Sequence, residues 1–185
     1  GQQERSCDIL EKIALSYPDS AQSCKAISVA SELHRNQGRF TDAARLSLMA
    51  AGRRYSAVES AKALANWLTD RTLDAGAETA LLELDKYLKH MKDPEAIRLV
   101  LAKGIETAMY AGCDDIELHY TDMLLDLGVA SSELPTLLWR KYELEAALSQ
   151  DKEAREILVK LASDHPDSPE GARAKLEVNK IMSAG

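Results

Sequence analysis

Aromatic side chains make up only 5% of this 185-residue chain, and one phenylalanine is among them. Nine glycines and five prolines are too few to supply the turns of a β-sandwich, and a strand-built core would draw more heavily on β-branched and aromatic residues. Basic residues are also short: 23 Lys and Arg against 30 Asp and Glu leave a net charge of −7, which argues against nucleic acid as a partner because that binding starts from a basic face. No hydrophobic run approaches the roughly 20 residues that a membrane-crossing helix requires. The three cysteines are an odd number and form no Cys-x-x-Cys pair. Cys7 and Cys24 flank one helical turn at unequal distances, a mismatch of roughly 7 Å along the helices, so both read as small core residues rather than a disulfide. The start, Gly1-Gln2-Gln3-Glu4-Arg5, does not read as a signal peptide, and the chain reads as a segment of a longer protein.

What is abundant is Leu, Ile and Ala at helical spacing: hydrophobic residues reach 45%, enough to bury a core of helix packed on helix. Ile9-Leu10-Glu11-Lys12-Ile13-Ala14 running into Tyr17-Pro18-Asp19-Ser20 returns as Ile157-Leu158-Val159-Lys160-Leu161-Ala162 running into His165-Pro166-Asp167-Ser168. One helix, one turn and the next helix start are thus used twice. The punctuation predicts ten helices. The first covers residues 2 to 16, with Cys7, Leu10, Ile13 and Ala14 on one face. Ser20 caps the second, which stops at Gly38; Thr41 opens the third; Ser56 with Glu59 forms a capping box for the fourth, which ends near Gly76. The fifth packs Ala77, Leu81, Leu84, Leu88 and Met91. Asp93-Pro94 opens the sixth, and Asp114 with Glu117 the seventh, which presents Ile116, Tyr120, Met123, Leu124 and Leu127. The eighth begins at Ser132 and Pro135, the ninth at Asp151 and the tenth at Ser168-Pro169, with Leu176, Val178, Ile181 and Met182 facing inward.

The charge is uneven. Residues 1 to 92 hold 13 basic and 12 acidic residues and residues 93 to 185 hold 10 and 18, so the halves carry +1 and −8. Between Lys103 and Arg140 no basic residue occurs, and that stretch reads as a solvated helix face or a patch that steers a basic partner. Chemistry is sparse. Four histidines, His34, His90, His119 and His165, are scattered one to a segment with no nucleophile context, so the chain reads as a non-enzyme without a cofactor. Asp115, His119 and Asp122 share one helix face, but a metal site draws ligands from a second element as well, and none is indicated.

Pairing helices two with three, four with five, six with seven and eight with nine sets hairpins at about 33, 37 and 41 residues, near the 34 of a tetratricopeptide array. Ala154 in the first turn of the ninth helix and Pro166 a dozen residues later match that family's second helix. Gly38-Arg39-Phe40-Thr41-Asp42-Ala43 resembles its Gly-x-Tyr-x-x-Ala turn, with Phe40 for the tyrosine. Tyr55 replaces the closing proline there, Ser31 and Tyr142 occupy positions that the family fills with small residues, and the middle hairpins match in architecture alone. The chain thus resembles the tetratricopeptide repeat family, and its Pro-Asp-Ser turns before alanine-rich helices are similar to modules of bacterial cell-envelope proteins.

The resemblance implies an all-α, right-handed solenoid of antiparallel hairpins over residues 1–185 as one repeat domain. It further implies a non-catalytic scaffold that binds a protein or peptide along the concave face made by the first helix of each hairpin. Projected onto the better-matching hairpins, that face comprises Lys25, Ser28, Val29, Glu32, Arg35 and Asn36, and then Trp139, Arg140 and Glu143; Trp and Arg are residue types that dominate protein interfaces. The expected form is a monomer, and the expected setting the periplasm or cell envelope. Two alternatives stand beside it: a spacer or self-assembly module that meets its neighbours through open end helices, and a regulatory domain of a larger enzyme.

Overall fold

The computed structural model describes residues 2–17, 20–53 and 56–184; Pro18, Asp19 and Tyr55, used in the repeat comparison, lie outside them. Among the described residues there are ten helices and no strand: α1 (Gln2–Ser16), α2 (Ala21–Asn36), α3 (Phe40–Ala51), α4 (Ala57–Ala75), α5 (Ala77–Leu88), α6 (Pro94–Ala111), α7 (Asp114–Asp126), α8 (Leu134–Ala147), α9 (Asp151–Asp164) and α10 (Pro169–Ala184). The all-α reading and the ten expected helices hold. Two compact units divide the chain, Gly1–Ala111 with α1 to α6 and Gly112–Gly185 with α7 to α10. The expected pairing of the sixth helix with the seventh falls across that division.

In the first unit each helix packs against the next, and α4 also lies against α6. Ala14, Ile27, Ala30 and Leu46 form the core of α1, α2 and α3, joined by Leu10, Met49 and Ala50. Farther on, α4 contributes Ala61, Leu64, Trp67 and Leu68, and α5 contributes Ala80, Leu81, Leu84 and Leu88. Trp67 meets the ring of Tyr87 edge-on at 5.0 Å, the arrangement that the ring quadrupoles favour. Small residues at Ala96, Gly104 and Ala108 keep the buried face of α6 narrow. In the second unit α8 packs on α7 and α9, and α10 on α9 and α8. Its core is Leu138, Ile157, Leu158, Leu161 and Ala174.

The caps explain the helix starts. Ser20 accepts from the Ser23 amide and Ser56 from the Glu59 amide, each at 3.1 Å, and Asp93 accepts from the Ala96 amide at 2.9 Å. Three details differ from the sequence reading. Thr41 lies inside α3 and donates to Asp74 at 2.6 Å instead of capping. Glu117 does not close a capping box on α7; it is fully buried with Tyr120 and Thr121, because an arginine from α8 neutralises it. And α10 does not turn Leu176, Ile181 and Met182 inward: they are 62%, 38% and 77% exposed, while Gly171, Ala174 and Val178 make the contact. The reason is steric, since a Cβ at Gly171 would fall on the His165 carbonyl oxygen, so α10 approaches so closely that only small residues fit there.

Two turns share one geometry. Between α2 and α3, Gly38 at φ +72° donates to the Arg35 carbonyl and Arg39 to the His34 carbonyl. Between α8 and α9, Ser149 at φ +61° donates to the Ala146 carbonyl and Gln150 to the Glu145 carbonyl. Ser149 therefore occupies, with a side chain, the left-handed position that Gly38 fills without one. Counting onward from each turn matches Ala43 with Ala154 and Arg45 with Glu156. Left-handed backbone costs an L-residue roughly 1–2 kcal/mol, so Ser149→Gly is expected to stabilise the second unit by about 1 kcal/mol. Urea unfolding followed by Trp139 fluorescence in a Trp67→Phe background measures it; an unchanged midpoint would remove the strain argument.

Candidate protein-interaction surface

The α2 residues projected as a binding face separate into two groups. Lys25, Ser28, Val29, Glu32 and Asn36 are exposed along the helix, as a contact surface requires. Arg35 is otherwise engaged: its Nε and Nη2 bond the two carboxylate oxygens of Asp70 on α4 at 2.5 and 3.0 Å. Asp70 is fully buried and also accepts from Ser47 at 3.0 Å, while Ser31 bridges Ser47 at 2.8 Å and the Ala43 carbonyl at 3.1 Å. The departure at Ser31 thus has a structural use, holding α2 to α3 beside the carboxylate. The hydrogen bond to Asp70 raises the Arg35 guanidinium above its ordinary pKa, and burial opposes that rise.

The second unit repeats the device with different residues. Arg140 on α8 donates through Nε and Nη2 to Glu117 of α7 at 2.6 and 2.8 Å, and Glu117 is fully buried. That bond drives the Arg140 pKa upward, with burial in opposition. Trp139 is half-buried against the core, lies 5.2 Å from the Tyr142 ring and donates from Nε1 to Glu143 at 2.9 Å. Of the three residues projected on α8, Glu143 is the exposed one; Trp139 and Arg140 each hold part of the fold.

Sequence reasoning missed a groove in the first unit. Thr69, Thr72 and Leu73 of α4, Ala77 of α5 and Lys103, Thr107 and Tyr110 of α6 line a cleft of about 390 Å³. Leu73 is 53% and Tyr110 80% exposed, and the Thr72 hydroxyl is shielded from solvent without a hydrogen-bond partner. The available signal was Leu73 and Tyr110 standing off the apolar stripes of their helices; it was unreadable because the middle hairpins lack repeat motifs.

On α7, Asp122 accepts from Lys141 of α8 at 2.5 Å, His119 is exposed and tilted against the Tyr120 ring at 5.6 Å, and Asp115 is exposed. Among the described residues no group of three or more His, Cys, Asp or Glu side chains is placed to hold a metal ion. His34 is buried and its Nε2 lies 3.1 Å from Glu11, which also accepts from Arg45 at 2.9 Å. Burial works against the charge of Glu11, yet the bonds from Arg45 and His34 hold its carboxyl below the ordinary range. Glu145 is the contrasting case. Burial pushes its carboxyl above 4.5, Asp122 and Glu153 add to the rise, and Lys141, at 3.9 Å, only partly offsets it.

Two outcomes follow. Arg140→Ala is expected to destabilise the second unit, short of the ~3–5 kcal/mol of a fully buried pair because 37% of the arginine side chain is solvated; Arg140→Met with Glu117→Leu is expected to recover most of the loss. Equal unfolding midpoints for Arg140→Ala and the parent chain would show that the pair carries nothing. Glu145 binds its proton more tightly folded than unfolded, so the stability of the parent should fall as pH rises from 4.5 through the raised value and then level off. Glu145→Gln should flatten that segment of the stability–pH curve, and an identical slope in both chains would contradict the assignment. Comparison of the sequence with protein-family models gives no match, and comparison with curated proteins gives none.

Proposed function

We propose that the chain is a non-catalytic scaffold of the tetratricopeptide type, an α-solenoid in which the first helices of its hairpins receive a segment of a partner protein. The side-by-side packing of α4 with α6, and of α8 with α10, supports this reading, because an array of hairpins places its first helices next to one another. The observation that carries it is the α4/α6 groove. Leu73 and Tyr110 leave apolar surface in water beside Lys103, whose amine bonds Glu106 at 2.9 Å, a mixture suited to a peptide segment with apolar side chains. The exposed row Lys25, Ser28, Val29, Glu32 and Asn36 on α2 offers further surface to such a segment. As part of a multiprotein assembly, the scaffold acts as a monomer, with the cell envelope as its setting. No step of this reading uses a nucleophile, a metal or a cofactor.

The exposed Leu176 and Met182 of α10 favour a second reading, in which contact through the last helix joins the chain to another copy or a longer array. One experiment separates the two. Peptides selected from a displayed library against the whole chain are re-bound to Leu73→Asp with Tyr110→Ser, and to Leu176→Asp with Met182→Asp. All four residues are exposed, so circular dichroism and melting temperature are expected to stay near those of the parent. The groove reading expects the first pair to weaken binding at least tenfold and the second pair to leave it unchanged. The reverse result would transfer the binding surface to α10.

A further inference from the structure

Among the described residues of the second unit, Glu145 is a charge-bearing side chain with a buried oxygen that has no hydrogen-bond partner. Its side chain is only 5% exposed, its Oε2 is shielded from solvent and has no hydrogen-bond partner, and Lys141 stands 3.9 Å from its Oε1, too far for a hydrogen bond. Lys141 is held there by Asp122, whose carboxylate takes the ammonium at 2.5 Å. A buried carboxylate in this condition costs free energy unless a cation or a proton reaches it.

The side chain forms the wall of a cleft of about 250 Å³ between α8 and α9, together with Lys141, Glu153, Glu156, Ile157 and Lys160. Asp122, Glu145, Glu153 and Glu156 bring four carboxylates to this region against the ammonium groups of Lys141 and Lys160. Lys152 reaches Glu156 only at 3.9 Å, from a position 83% exposed.

The matching place in the first unit shows what is missing. Counted from the two equivalent turns, Glu145 stands where His34 stands and Glu156 where Arg45 stands. In the first unit His34 and Arg45 both bond Glu11, so the carboxylate there has a guanidinium supplied by the third helix. In the second unit an acid replaces the histidine and another acid replaces the arginine. The site keeps the negative groups and lacks the guanidinium, its Lys141 being taken up by Asp122 at 2.5 Å.

We propose that the α8/α9 cleft is a receptor site for an arginine side chain of the partner protein, with the guanidinium bonding Glu145 and lying against Ile157. The inference rests on the scaffold reading above and adds the chemistry of the partner, a basic segment. Arginine suits the site better than lysine because its weak hydration lowers the cost of entry beside an apolar wall and its several N–H donors are spread over a flat group that fits a cleft. The −8 of the second half of the chain draws such a segment in at long range.

The test uses the full chain labelled with 13C at glutamate carboxyls, with the Glu145 resonance assigned by its loss in Glu145→Gln. In the free chain that resonance is expected to titrate above 4.5; an acetylated tri-arginine amide at 0.15 M salt should shift the titration downward, and tri-lysine should shift it less. Glu145→Gln should bind tri-arginine about tenfold more weakly, the worth of one charge-assisted hydrogen bond. Glu156→Arg, which restores the residue type of Arg45, should lower the Glu145 titration with no peptide present and block the peptide's effect. An unmoved Glu145 resonance, or equal affinity for the parent and Glu145→Gln, would overturn the proposal and leave Glu145 a neutral structural carboxyl. Loss of binding by the Leu73 and Tyr110 variants is read in the other unit, so either conclusion can fail without the other.

Discussion

A carboxylate sealed from water must keep its guanidinium, and this constraint shapes both units. Asp70 and Glu117 are fully buried, and each holds one arginine through two bonds. The attraction offsets the desolvation of the charge only while both bonds are made, so each pair fixes which helices meet and in what register. Arg35 locks α2 to α4, and Ser31 and Ser47 draw α3 into the same network. Arg140 locks α8 to α7. Helix faces rich in Leu and Ala slide past one another at small cost, and a two-point ionic contact does not.

The pairs also decide which residues are free to meet a partner. Arginine and tryptophan on a first helix look like interface anchors, but here Arg35 and Arg140 are spent on buried carboxylates and Trp139 on Tyr142, Glu143 and the core. What remains outward includes the polar row of α2, the Leu73 and Tyr110 edges of the α4/α6 groove, Leu176 and Met182 of α10, and the rim of the acidic cleft at Glu145. The two equivalent turns show how one hairpin design serves two ends. Around Gly38 the neighbouring acid is bonded from within by His34 and Arg45, whereas around Ser149 acids take both positions and Lys141, held by Asp122, only partly balances Glu145.

Helices, caps and turns were legible in the sequence because they rest on local chemistry. A serine oxygen reaching an amide three residues on, or a glycine taking positive φ, leaves its mark within one turn of chain, and so Ser20, Ser56, Asp93 and Gly38 could be read directly. The burial of Glu117 was not legible. Its position three residues after Asp114 fits a capping box equally well, and only the arginine 23 residues later decides between surface and core. Asp70 left a faint sign, an acid three residues beyond Trp67 on the apolar face of α4, with its partner 35 residues earlier. On α10, the close approach at Gly171 turned a long apolar side chain such as Leu176 outward, against its hydropathy.

The sequence by itself determined the class of the fold: apolar spacing near 3.6 residues, with Ser or Asp before several runs and Gly after several others, admits only helices, and the returning Ile-Leu-x-Lys segment makes hairpins of them. Tertiary structure alone decided which charged residues are structural. The energy of an ion depends on the dielectric around it and on the distance to its counter-ion, and both are set by residues far away in the chain. Asp70, Glu117 and Glu145 are the same kind of group in sequence, yet packing gives the first two an arginine each and leaves the third with Lys141 at 3.9 Å.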